Sequence, residues 1–247
     1  MFAIFRKEIS GFFSSLTGYI VIIVFLLINS LFMWVFPGEW NIAESGYAGL
    51  DTLFFLSPWI FLFLVPAVTM KMIAEEKRLG TIELIYSKPI TERGIVWGKY
   101  LAAVALVLLS LLPCLVWYVS VYLLGETPGN LDRGGTWGAF IGLFFLAAIY
   151  ASAGIFASSL TDNQVIAFII AVLICFVLLM GFDSFAYLPG LKKLDEFVIN
   201  LGINEHYKSV SRGVLDIRDI TYFIAVSVIF NEATRLALLS RKWKKRS

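Results

Sequence analysis

TLFFLSPWIFLFLVPAVTM, Thr52–Met70, runs for nineteen residues without a charge, and close behind it comes AEEKRLGTIELIYSKPITERG, Ala74–Gly94, with four acids and four bases. The hydrocarbon core of a bilayer is about 30 Å thick and a helix rises about 1.5 Å per residue, so about 20 mostly apolar residues span it. The first stretch meets that length. Lipid offers no partner to an unpaired N–H or C=O, which makes such a run an α-helix rather than an open strand. Five more runs qualify: Gly18–Phe36, Tyr100–Leu124, Trp137–Leu160, Val165–Phe182 and Ile220–Leu239, and only the last contains charged residues. The expectation is an all-α membrane protein with six transmembrane helices, kinked where Pro58, Pro66 and Pro113 interrupt the ladder.

Composition agrees. Hydrophobic residues are 59% of the 247 and charged residues 15%, with a mean hydropathy of +0.83, against about 45–50% and about 25% for a soluble domain. The even spread of apolar runs leaves no room for a separate soluble domain, so residues 1–247 read as one transmembrane domain. A net charge of +2 points to no nucleic-acid partner. Cys114 and Cys175 fall inside apolar runs and read as small core hydrophobes, neither disulfide-bonded nor metal-binding.

Lys and Arg in the flanks set orientation. With the N-terminus inside, the cytoplasmic pieces hold thirteen bases, Lys71, Lys77, Arg78, Lys88, Arg93 and Lys99 among them, while the two short outer loops hold Arg133 alone. Both termini and Ala74–Gly94 are then cytoplasmic. The long connection Asp183–Asp219, with five bases and six acids, is external, and its mixed charge suggests a small folded cap or re-entrant element before the last span, with a turn at Tyr187–Gly190. The N-terminal 1–17 stretch lacks the small-residue cleavage site of a signal peptide. Its Phe2, Phe5, Ile9, Phe12, Phe13 and Leu16 fall on one arc of a helical wheel, as in an interfacial amphipathic helix on the inner leaflet, where membrane lipid is its partner.

The charged loop has internal design. Lys77 and Arg78 suit the last turn of a helix, Gly80 the position just past its end, and Thr81 the cap of a new short helix over Ile82–Ser87, with Glu83 in its first turn and Pro89 beyond its end. This is an elbow, with Glu75, Glu76, Glu83 and Glu92 available to a polar partner. Two readings stand side by side: a solvated loop whose charges enforce topology, and a docking element. No catalytic residue is singled out, since no nucleophile–base pair, G-x-S-x-G or H-E-x-x-H occurs, and His206 has no Cys or His nearby to complete a metal site.

EEKRLGTIELIYSKPI resembles the cytoplasmic-loop signature of ABC-2 type permeases, with Glu75, Glu76, Gly80, Thr81, Glu83, Leu84, Ile85, Pro89 and Ile90 at the matching positions. SVSRGVLDIRDITYF, Ser209–Phe223, is similar to the family's approach to its last span, and SRKW, Ser240–Trp243, to its exit. In overall character the chain looks most like the gliding-motility-associated branch of Bacteroidetes, the GldF type. The resemblance implies a permease subunit of an ABC transporter in a bacterial inner membrane. It further implies that Ala74–Gly94 is a coupling helix for a separate ABC ATPase subunit and that a second, identical or related permease completes the path. No G-x-x-x-x-G-K-[ST] occurs, so ATP and Mg would be bound by that ATPase and this chain is not itself an enzyme.

The last span is anomalous. Asn231, Glu232 and Arg235 lie within it, at spacings that can put them on one face. Counted from Tyr222, Glu232 falls about 15 Å along the helix, close to mid-membrane, where a charge is expensive. Either Arg235 reaches the inner headgroups and carries Glu232 with it, or the three line a cavity or face a partner permease. An ion-coupled secondary transporter using this face, or a scaffold that transmits ATPase motion without moving a substrate, are alternatives, although no inverted repeat is visible. Ala147, Ala151, Gly154 and Ser158 give the fourth run a face of small residues suited to close helix packing.

Overall fold

The computed structural model describes residues 1–125, 130–186 and 199–244, and these form helices with no strand among them. A separate helix α1, Phe2–Ser14, is followed at Ser15 by α2, Leu16–Ser30, whose last part, Leu31–Val35, winds as a π-helix. Next come α3 (Asp51–Arg78), the short α4 (Ile82–Tyr86), α5 (Glu92–Leu111) and α6 (Cys114–Leu124). Then follow α7 (Arg133–Leu160) and α8 (Gln164–Phe176), the latter ending in a π-helical stretch, Val177–Gly181. The short α9 (Phe182–Ala186), α10 (Ile203–Ser211) and α11 (Ile217–Lys244) complete the described chain. Six of these segments are long and apolar enough to cross a membrane: Leu16–Val35, Asp51–Arg78, Glu92–Leu124, Arg133–Leu160, Gln164–Ser184 and Ile217–Ser240.

Helix α7 is the centre of the bundle and touches α3, α5, α8, α10 and α11. Its small residues make this possible. Ala147, Ala151, Gly154 and Ser158 are all fully buried, and a Cβ at Gly154 would overlap the Thr69 hydroxyl of α3. Four residues on, the Ser158 hydroxyl enters the α3 ladder itself: it donates to Met70 O (2.7 Å) and accepts from the N–H groups of Ile73 (3.1 Å) and Ala74 (3.0 Å). Elsewhere aromatic pairs close the gaps, Phe25 of α2 on Phe61 of α3 at 4.5 Å and Phe145 of α7 on Phe223 of α11 at 5.6 Å.

At the far end, opposite the charged loop, α10 lies on α7. Ile203, Tyr207 and Val210 face inward, and a Cβ at Gly138 would overlap the Val210 carbonyl and Gly213. Gly213 itself has φ of 84°, a conformation that suits glycine. Tyr207 explains how α3 tolerates its first proline. Pro58 has no N–H for the carbonyl four residues earlier, Phe54 O, and the Tyr207 hydroxyl donates to that oxygen at 2.8 Å.

At Pro113 the ladder is interrupted as expected, Leu112 and Pro113 separating α5 from α6, while α3 runs on as helix through Pro58 and Pro66. The elements differ from the sequence expectation in two ways. The third span starts at Glu92, well before Tyr100, because Thr91 caps it by accepting from Gly94 N at 3.2 Å. The π-helical ends of the first and fifth spans have no counterpart in the apolar pattern. The expected turn at Tyr187–Gly190 lies outside the described residues.

Replacing Gly154 by Leu forces α7 away from α3, and overpacking of this kind costs about 1–3 kcal/mol. The variant is expected to melt at lower temperature than the parent by scanning fluorimetry in detergent, whereas Gly154→Ala should lie between the two.

Candidate functional site

Helix α3 carries its last charges out to Arg78, and Gly80, with φ of 70°, turns the chain into α4. The remaining loop is short. Ile82 is buried and anchors α4, while Leu79 and Leu84 are 62% and 67% exposed. Thr81 precedes α4 but does not cap it: its backbone is already helical, its side chain makes no cap bond, and its hydroxyl instead points back to Glu76 O at 3.4 Å. The helix ends at Tyr86 rather than Ser87, ahead of Pro89.

Behind the elbow lies a buried charge cluster. Lys99, on α5, has no exposed surface and donates to Met72 O at 2.6 Å. Its ammonium also lies 2.7 Å from Glu8 Oε1 of α1 and 2.9 Å from Glu76 Oε2 of α3. Lys7 of α1 closes the group by pairing with Glu76 Oε1 and, at 3.4 Å, with Glu8. Burial opposes the charge on Lys7, but the hydrogen bond to Glu76 and the field of Glu8 outweigh it and hold its ammonium above the usual lysine range. Two cations and two anions thus join α1, α3 and α5. A cavity of about 310 Å³ adjoins them, lined in part by Lys7, Glu8, Lys71, Glu75 and Thr81. Lys71 donates to Thr17 Oγ1 at 2.7 Å, and Lys77 binds the Ser159 carbonyl at the end of α7.

This corrects the reading of Glu76 as free for a partner, because its carboxylate is consumed inside the chain. Glu75 pairs with Arg78 at 3.8 Å and stays partly exposed. Glu83 sits in the first turn of α4 with an exposed side chain. Lys99, counted among the flanking charges, is no surface base either. Its burial was legible: Ile95, Val96, Ala102 and Ala103 are buried on α5, three and four residues to either side, so the apolar face runs through Lys99. The roles of Glu8 and Lys7 had no such signal, because only the fold brings α1 against α5.

The polar residues of the last span separate. Asn231 is buried and donates to Ser227 O at 2.9 Å. Glu232 and Arg235 point elsewhere, 2.8 Å apart, and Glu232 also pairs with Arg93, whose Nε lies 3.1 Å from its Oε1. Arg93 is in the first turn of α5 beside the charged loop, so Glu232 lies at that end of the bundle and not at its middle. The expectation of mid-membrane depth was counted along one helix alone, whereas the pairing with Arg93, in the first turn of α5, sets Glu232 at the level where that span begins. With Asn231 turned inward and Glu232 partly exposed, the three do not form one coupling face.

Residues 41–203 match the model of the ABC-2 family transporter proteins. The chain belongs to the ABC-2 transporter family. The matched stretch runs from before α3 to the first residue of α10, so this ABC-2 protein's elbow and Lys99 fall within it, whereas Lys7, Glu8, Glu232 and Arg235 fall outside. Comparison with curated proteins gives no match. Membership makes the ABC-2 protein a multi-pass membrane component of a transporter, and the family implies an ABC ATPase partner in general.

Lys99→Met removes one partner of a buried pair and leaves two carboxylates facing each other, a loss of about 3–5 kcal/mol. Lys7, half exposed, should cost under about 1 kcal/mol when replaced by Met. Glu232→Leu is expected to leave the melting temperature nearly unchanged. Thermal melts of the three variants in one detergent check the ranking.

Proposed function

We propose that this protein is the permease subunit of an ABC transporter, driven by a separate ATPase that binds ATP and Mg and docks on Ala74–Gly94. The observation that carries this reading is the hook beyond Arg78: Leu79 and Leu84 are presented outward on an elbow whose base is held by Glu76, Lys99 and α1. A push on a loop tied to three helices moves those helices, whereas a solvated linker would dissipate it. Glu75, Gly80, Thr81, Glu83 and Pro89 shape that surface, and Glu76 acts beneath it as a strut. A second permease subunit, identical or related, completes the path. The gliding-motility assignment rests on sequence resemblance and extends this reading to a complex that drives surface movement.

In this reading the elbow and both termini face the cytoplasm of a bacterial inner membrane, α1 lies at the inner leaflet in contact with lipid, and α9 and α10 belong to an external, partly re-entrant cap. The excess of Lys and Arg at the elbow end supports the orientation.

The docking test uses Leu84→Arg and the pair Glu75→Lys with Glu83→Lys. Each is expected to lower recovery of the ATPase on co-purification at least tenfold while the permease remains inserted and monodisperse. Undiminished recovery with both would remove docking from the elbow. Orientation has its own check: cysteines at Glu44 and Asn200 should react with an impermeant maleimide added to intact cells, and one at Ser87 only after lysis. The reverse pattern would place the elbow outside.

A further inference from the structure

The cavity of about 310 Å³ beside the charge cluster is walled by α1, by the end of α3, and by Leu79 and Thr81 of the elbow. Its depth follows from the spans around it. Lys71 is the first residue after the uncharged run Thr52–Met70, Ser15 is the last before α2, and both line the cavity. The cavity therefore lies where two spans leave the hydrocarbon, at the level of phospholipid head groups. Its volume is at the small end of the about 300–1,000 Å³ of ligand sites, which suits a head group rather than a whole lipid.

Gly11 of α1 forms part of the wall, and a Cβ there would meet nothing within 4 Å. Glycine inside a helix is disfavoured against alanine, and a close approach of another group to the backbone is a common reason for it. At Gly98 on α5 the approaching groups are Ile4 and the Met1 carbonyl. At Gly11 the protein supplies none, and the open space is the cavity. The charged groups around it keep unused capacity of both signs. Lys71 gives one of its three protons to Thr17 Oγ1, and Lys7 gives two to Glu76 and Glu8, so each ammonium has a donor left. Glu75 meets Arg78 at 3.8 Å, too far for a hydrogen bond, and its carboxylate is open to a donor. Glu8, Glu75 and Glu76 are balanced by Lys7, Lys71 and, behind them, Lys99. The site as a whole favours neither a simple anion nor a simple cation.

We propose that this cavity binds the head group of a phospholipid carrying both a phosphate and a primary ammonium, as phosphatidylethanolamine does. The phosphate accepts from Lys7 and Lys71, and the ammonium donates to Glu75. Phe12 and Met72 make part of the wall apolar, on the side that takes the glycerol end. A phosphatidylglycerol head group leaves Glu75 without a partner and adds negative charge to a balanced site. A choline head group carries its positive charge on a nitrogen with no N–H to donate. The bound head group bridges α1 and the root of the elbow, beside the Lys7–Glu76 pair. The inference requires only that the elbow end lies at a membrane surface, whichever surface that is, and does not depend on the ATPase reading.

Delipidated protein in detergent is titrated with phosphatidylethanolamine, phosphatidylcholine or phosphatidylglycerol of the same acyl chains. Scanning fluorimetry follows the melting temperature, and native mass spectrometry counts the lipid retained. Phosphatidylethanolamine at about ten times its Kd is expected to raise the melting temperature by about 3–6 °C, with one molecule held per chain. The other two, bound about tenfold more weakly, should raise it by about 1–2 °C at the same concentration. Gly11→Trp fills the cavity and should bring the three curves together. If that variant fails to fold, Glu75→Gln should remove the preference for phosphatidylethanolamine, and Lys71→Met should weaken all three lipids. Glycerophosphoethanolamine, the same head group without acyl chains, should give no shift at the concentration where the lipid saturates. An equal shift from it would make the ligand a soluble phosphate compound and overturn the lipid assignment. Equal shifts from the three lipids, a larger one from phosphatidylglycerol, or an unchanged preference in Gly11→Trp or in Glu75→Gln would overturn the site. Loss of ATPase co-purification leaves these results untouched.

Discussion

A lysine with no exposed surface must find its counter-charges inside the protein, and Lys99 finds two, on two different helices. An unpaired ammonium in a low-dielectric interior is penalised by several kcal/mol, so the position of α5 is set by where Glu8 and Glu76 stand. The same requirement runs in reverse. Glu76 ends α3 close to the elbow, Glu8 belongs to a helix that precedes the first span, and neither carboxylate is at ease without the ammonium. Burial of the cluster ties three helices into one unit at the elbow end of the molecule.

That unit is stiff because the next layer offers no slack. Where α3 passes α7, a glycine meets a threonine side chain and a serine hydroxyl occupies part of the α3 ladder between Met70 and Ala74. Close-packed interfaces of this kind shift between discrete arrangements rather than deform continuously. The same helix runs on to Pro58, where the ladder lacks one donor and Tyr207 substitutes for it. The far end of α3 is thus held by α10, whose His206 meets Asp219 of the last span. The charge cluster at one end and the polar contacts at the other are linked by a single helix.

How much of this the sequence disclosed depends on the range of the interaction. The six spans, the elbow at Gly80 and the close packing of the small residues in α7 follow from length, apolarity and glycine geometry, which act within a few residues or against any neighbour. The extension of α5 back to Glu92 was also within reach, since Thr91 is a strong cap and the face through Ile95, Lys99 and Ala103 is continuous. Thr81, by contrast, has the right residue type for a cap and does not act as one, because the tight turn after Gly80 already places its backbone in the helical region.

What the chain alone determined is that it forms an α-helical bundle in a membrane with its charges gathered at the turns, because the solvation of backbone and side chains by lipid and water leaves no other choice. Which charges meet was decided only by the tertiary structure. In the sequence Glu76 reads as open to a partner and Glu232 as the neighbour of Arg235, yet the first is enclosed by Lys7 and Lys99 and the second meets Arg93 as well as Arg235. Electrostatic partners are chosen by distances between helices far apart in the chain, and periodicity within a helix carries no record of those distances.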